Sequence, residues 1–152
     1  MRSRLFVLLA TATACTQGPP PPEFSPMSDV KTLMSAIVEP AAEVYWDAVG
    51  SYDDSTGTHV MVPTTDSAWA AVQAAAVTVG ESGNLLLIPP RAVDQGEWAQ
   101  LARAMTAASR EALSAAIARD TSRVFSAGAV LYDACTACHA KYATEILRPN
   151  AR

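Results

Sequence analysis

Cations, aromatic rings and cysteines are all scarce in this 152-residue chain, and each scarcity removes a class of function. Eleven Lys and Arg residues stand against fifteen Asp and Glu, for a formal charge of −4. The cations are scattered, so a nucleic-acid partner, which needs a basic stripe, is excluded. Three cysteines are too few for the disulfide framework of a small secreted domain. No apolar run approaches the ~20 residues that cross a bilayer as a helix. No catalytic carboxylate pair, nucleophile–base set or Gly-rich phosphate loop argues for an enzyme, and no internal repeat is evident.

What the chain has in quantity is alanine, the best helix former, in long uninterrupted stretches. Its length suits one domain around a single core. The N-terminus is ordered like an export signal: Arg2 and Arg4, then the apolar run Leu5 to Ala10, then the A-x-A site Ala12-Thr13-Ala14. Cleavage after residue 14 makes Cys15 the first mature residue, which resembles a bacterial lipoprotein signal; the Leu usual three residues before such a Cys is Ala12 here. Residues 15–27, with Pro19 to Pro22, then form a stiff tether that holds a domain, residues 28–152, clear of a membrane. The expected location is exported and periplasmic, anchored by lipid on Cys15. Losing Arg2 and Arg4 takes the formal charge from −4 to −6, so a basic partner surface would be attracted at low salt.

Four helical stretches follow. The first spans about Ser28 to Val49, with Ser28 as N-cap and Val30, Leu33, Met34, Ile37, Ala41, Val44, Tyr45 and Ala48 inward. Pro40 should kink or divide it. Residues 50–64 form a loop, in which Val60-Met61-Val62 has no second strand to pair with. The second helix starts near Thr65 or Asp66 and buries Trp69, Val72, Ala76 and Val79. Gly80 and Gly83 are potential interruptions, and Pro89-Pro90 is the stop. The third runs from Asp94, with a capping-box-like Glu97, to about Ala118, and turns Trp98, Leu101, Met105, Ala108, Ala112, Ala115 and Ala116 inward. The fourth, capped by Asp120 or Thr121, reaches about Leu147 before Pro149, with Val124, Phe125, Ala129, Leu131, Tyr132 and Ala134 on its inner face. Comparable helices with mostly short connections predict an all-α, antiparallel four-helix bundle.

The chemistry concentrates in Cys135-Thr136-Ala137-Cys138-His139. C-x-x-C-H is the attachment pattern of c-type haem. Two thiols three residues apart on a helix share a face and reach both haem vinyls, and the next residue, His139, ligates iron. A thioredoxin-like pair would need a βαβ context. A zinc site would need four ligands, and only His59 is left to complete one. With Cys15 lipidated, no cysteine remains for a structural disulfide.

The motif lies near the C-terminus, in the last of four helices. In this the chain resembles the class II cytochromes c, the cytochrome c-prime and c-556 group. The matching residues are Cys135, Cys138, His139 and the aromatic Tyr142, with Gly128 and Lys141 also similar. The resemblance covers roughly residues 28–148 and implies a four-helix bundle with one covalent haem c near the C-terminus, bound by Cys135, Cys138, His139 and Tyr142. It implies that the first helix covers the other haem face, with Met34 as distal iron ligand and Lys31 as the cation near a propionate. Met34 is the strong donor on that helix's apolar face; its bland reading is core filling. His59 and Met61 lie in the polar loop, Met27 in the tether, and Met105 reads as core. Trp46, Trp69 and Trp98 anchor the bundle, and Glu43 and Asp47 form a solvated face. The function implied is one-electron transfer, non-catalytic, with other exported or membrane redox proteins as partners. The alternative is a five-coordinate binder of nitric oxide or carbon monoxide, with Leu33 covering the iron. A homodimer through the first two helices is implied by the resemblance alone.

Overall fold

The computed structural model of the chain describes residues 23–143. The export signal, Cys15, most of the tether and the expected run of the last helix to Leu147 and Pro149 lie outside the described residues.

The first helix, α1, covers residues 30–46 in three joined pieces: an α-turn Val30–Leu33, a π-turn Met34–Val38 and an α-helical segment Glu39–Trp46. Asp29, not Ser28, caps it; its carboxylate accepts from the Thr32 N–H at 2.8 Å. That hydrogen bond holds the Asp29 carboxyl below the usual carboxylate range. Pro40 explains the π-turn. It has no N–H to give the Ala36 carbonyl, and its ring would press on that same carbonyl. The turn just before it widens, so that the Glu39 N–H bonds the Met34 carbonyl five residues back.

The widened turn moves the buried stripe by one residue. Between Leu33 and Tyr45, both expected inward and both buried, Val38 and Ala42 take the places of Ile37 and Ala41. Ile37 and Val44 face outward at 39 % and 47 % exposure.

Residues 50–64 hold a hairpin instead of a loop. Strand β1 (Gly50–Asp54) pairs antiparallel with β2 (Gly57–Met61), Gly50 opposite Met61 and Tyr52 opposite His59. This corrects the expected all-α four-helix bundle with haem c near its C-terminus: the chain is mostly helical, with four helices among the described residues plus a two-stranded sheet. The partner missing for Val60-Met61-Val62 was GSYDD, whose polar residues read as a turn. Side-chain bonds supply what burial does not. Asp54 accepts from the Thr56 N–H at 2.8 Å and sits 3.1 Å from His59 Nε2, and the His59 ring stacks on Tyr52 at 4.8 Å.

Helix α2 (Asp66–Leu85) starts where expected and is capped by Thr65, whose hydroxyl accepts from the Ala68 N–H at 3.1 Å. Gly80 and Gly83 do not interrupt it. They are buried against α3 (Glu97–Ile117), where a Cβ on Gly83 would lie 2.3 Å from Thr106 Oγ1 and 2.7 Å from the Ala102 carbonyl. Absence of a side chain is what lets these helices approach. The Leu85–Ile88 run leaves the helix in a turn, and Leu86 is buried.

Helix α4 (Thr121–Cys138) is capped by Asp120 and continues as a π-turn, His139–Ala143. It buries Val124, Ala127, Gly128 and Leu131. Phe125, Ala129 and Tyr132, expected inward, are exposed; α4 packs mainly on α3 and only lightly on α1, where Gly128 lies against Trp46. The inward residues expected on α2 and α3 are buried, apart from the half-buried Leu101. Tyr45 ties α1 to the core by donating to the Ala112 carbonyl at 3.1 Å, and burial pushes its hydroxyl up to about 12.

Candidate functional site

Two adjoining cavities, of about 260 Å³ and about 290 Å³, lie between α1 and the end of α4. Met34, Glu39, Cys138 and His139 line both. Cys135 opens onto the first, whose wall includes Val38, Leu86, Leu101 and Met105. Lys31, Trp98 and Tyr142 border the second. Together they form one mainly apolar cleft with few polar groups, the usual character of a cofactor site.

Both sides of the cleft are built on irregular helix. Met34 is the first residue of the α1 π-turn, and His139 is the first residue of the α4 π-turn. Such turns re-aim side chains and recur at functional sites. In α1 the cause is Pro40. In α4 the α-helical hydrogen bonds persist to the His139 N–H, which bonds the Cys135 carbonyl.

Cys135 and Cys138 are half-buried free thiols one helical turn apart. Burial pushes both thiols up, with Cys138 adding to the effect on Cys135. His139 is exposed and Met34 half-buried. The alternative ligand His59 is on the hairpin with Asp54, and among the described residues no three His, Cys, Asp or Glu side chains gather as a metal site.

A brace anchors the α4 π-turn to the start of α3. Buried Tyr142 donates to Asp94 Oδ2 at 2.7 Å and meets the Trp98 ring edge-on at 4.9 Å. Asp94 also accepts from the Gly96 and Trp98 N–H groups at 2.7 and 3.1 Å. The Tyr142 bond holds the Asp94 carboxyl below its ordinary value and, reciprocally, is the main cause that pushes the Tyr142 hydroxyl up to about 12. Lys141 pairs with Glu97 and lies 5.5 Å from the Tyr142 ring centre. On the other side, Trp46 donates to the Gly128 carbonyl at 3.0 Å and so links α1 to α4 beside the cleft.

The structure thus brings Lys31, Met34, Cys135, Cys138, His139 and Tyr142 to one cleft, while Cys15 lies outside the described residues. Leu33, 1 % exposed, belongs to the core and is not on the cleft wall. Met61 lines a groove elsewhere, and Met105 is both buried and on the wall. Sequence reasoning missed Glu39, Val38 and Asp94. Asp94 had a visible signal, its three-residue spacing to Glu97, but that spacing pointed only to a cap. None of the described helices is long and apolar enough to cross a membrane. No family model, no curated protein and no solved structure matches the chain.

Proposed function

We propose that the chain is an exported monohaem c-type cytochrome that carries single electrons, in which Cys135 and Cys138 would hold the haem as thioethers and His139 and Met34 would ligate its iron. The observation that carries the reading is that Met34 and His139, from opposite ends of the chain, line the same two cavities. The donor set fits haem c: two thiols a helical turn apart, an imidazole beside them and a thioether on the facing helix. Bound there, haem would supply a one-electron iron couple whose potential a Met ligand raises.

The chain's own residues have separable tasks. Cys135 and Cys138 hold the group so that a small exported domain cannot lose it. Leu101, Ala102 and Met105, on the cavity wall, would keep water from a group bound there. Tyr142 and Asp94 fix the π-turn that presents His139. Lys31 puts a cation at the cleft rim, suited to a carboxylate substituent. The export signal and Cys15 support a periplasmic, lipid-anchored location with redox proteins as partners.

The test is the optical and EPR spectrum of the holoprotein, followed by carbon monoxide added to the reduced form. Low-spin iron indifferent to the gas is expected, and Met34→Ala should convert it to a high-spin centre that binds it. A wild-type protein that already binds carbon monoxide refutes Met34 ligation and favours a gas binder. Failure to incorporate haem in a strain competent for c-type maturation refutes the whole reading.

A further inference from the structure

Helix α1 has a second working side. Ala42 and Trp46 face the cleft, whereas Val44, Asp47 and Ala48 form one wall of an open groove of about 390 Å³, completed by Val60, Val62 and Ala71. Its apolar side chains stand in water: Val60 is 71 % exposed, Val44 47 % and Val62 43 %. The Pro40-induced slip of the buried stripe leaves Val44 outside, and the hairpin carries Val60 up beside it.

The charge around this groove has one sign. Between Lys31 and Arg91 the chain contains no Lys or Arg at all, and every groove residue comes from that stretch. Asp47 is in the wall and Glu43 lies one turn before it. Asp53, paired with Thr58, shares a sheet face with Val60, which pairs with Ser51. Among the described residues no ion pair engages Glu43, Asp47 or Asp53. Arg119 is paired with Asp66 at 2.7 Å, His59 Nε2 lies 3.1 Å from Asp54, and Lys31, at the start of α1, borders the cleft.

We infer that this groove is a docking surface for a protein partner that presents an apolar side chain ringed by Lys and Arg. Apolar burial at the centre and opposite charge at the rim are the anatomy of a short-lived, electrostatically steered contact. A groove this small suits the low end of interface sizes, where electron-transfer encounters lie. A second copy of the chain fits worse, because a two-fold contact sets the acidic rim against itself. That the partner donates or accepts an electron rests on the reading above; the docking surface does not.

The probe is a small, lysine-ringed mitochondrial-type cytochrome c, titrated into ¹⁵N-labelled holoprotein at about 10 and about 100 mM salt. Amide shifts should cluster at residues 43–48 and 58–63, and affinity should fall about tenfold or more with the added salt. Glu43→Lys combined with Asp47→Lys should weaken binding about tenfold, and Val60→Ser about threefold. Asp133→Lys, on α4, should change it less than about twofold. The proposal is overturned if Asp133→Lys weakens binding as much as the α1 pair, which would leave only net charge. It is equally overturned by shifts confined to other faces, or by a holoprotein dimer that Val60→Asp disperses. Stopped-flow exchange with the same probe separates the two readings. Binding at the groove without electron exchange refutes the carrier and leaves the docking surface. Exchange insensitive to the α1 pair does the reverse.

Discussion

Gly83→Ala gives opposite answers by local propensity and by tertiary packing. In an isolated helix the change is favourable by up to about 1 kcal/mol. In this fold the new methyl meets the Ala102 carbonyl at 2.7 Å and Thr106 Oγ1 at 2.3 Å. Thr106 can rotate away only by giving up its hydrogen bonds to the Gly80 carbonyl at 3.0 Å and the Ala102 carbonyl at 3.3 Å, together worth about 1–2 kcal/mol. The Ala102 carbonyl is backbone and cannot rotate, so α3 must retreat by about 0.7 Å to reach ordinary contact. Overpacking of this kind costs about 1–3 kcal/mol, so the net loss should be about 1–3 kcal/mol. For a domain of this size that lowers the melting temperature by roughly 4–10 °C. Ala102 lines the cleft, so under the proposed haem reading the optical spectrum should shift as well. Gly80→Ala is the control. Its methyl would meet the Ser109 side chain at 3.0 Å, a milder conflict that should nearly cancel against propensity. Thermal unfolding followed by far-ultraviolet circular dichroism decides. A Gly83→Ala protein that melts at or above the wild-type temperature refutes the close-packed α2–α3 contact.

The slipped stripe of α1 predicts that Val38→Ala costs about 2 kcal/mol, whereas Ile37→Ala stays within about 0.5 kcal/mol; denaturant unfolding of the two variants returns the reverse order if the helix runs through Pro40 without a π-turn. The Asp94–Tyr142 bond predicts two pH limits. Because the Asp94 carboxyl is lowered, its contribution is complete above the ordinary value of 3.8 and is lost as pH falls through the lowered one. Because the Tyr142 hydroxyl is raised from 10.0 to about 12, its contribution holds below pH 10 and is lost as pH rises towards about 12. Asp94→Asn should flatten the acid arm of a melting-temperature profile, and Tyr142→Phe should flatten both arms; acid arms that superimpose on wild type remove the brace.

Much of the candidate site was legible in the chain because its chemistry is local. Cys135 to His139 sit within five residues, so spacing alone indicates two thiols on one helical face and an imidazole after them. The helices of α2 and α3 were equally legible, since an unbroken 3.6-residue period needs no tertiary information. The period failed in α1, where one proline widened a turn and put Val38 and Ala42 inside in place of Ile37 and Ala41. It failed in α4 as well, where Phe125 and Tyr132 are apolar but exposed and the buried face includes the small residues Ala127 and Gly128, the latter against Trp46 of α1.

The sequence by itself determined the reactive residues, the helix-rich composition and the starts of α2 and α4 to within a residue, because each depends on neighbours a few residues away. Only the tertiary structure decided that Met34 and His139 share a cleft, that Tyr142 is held by Asp94, and that GSYDD pairs with GTHVM as a hairpin. Met34 and His139 are more than a hundred positions apart, Tyr142 and Asp94 nearly fifty, and the hairpin strands carry little apolar periodicity of their own. No local rule selects such partners; packing around Trp98, Leu131 and the α2 glycines does.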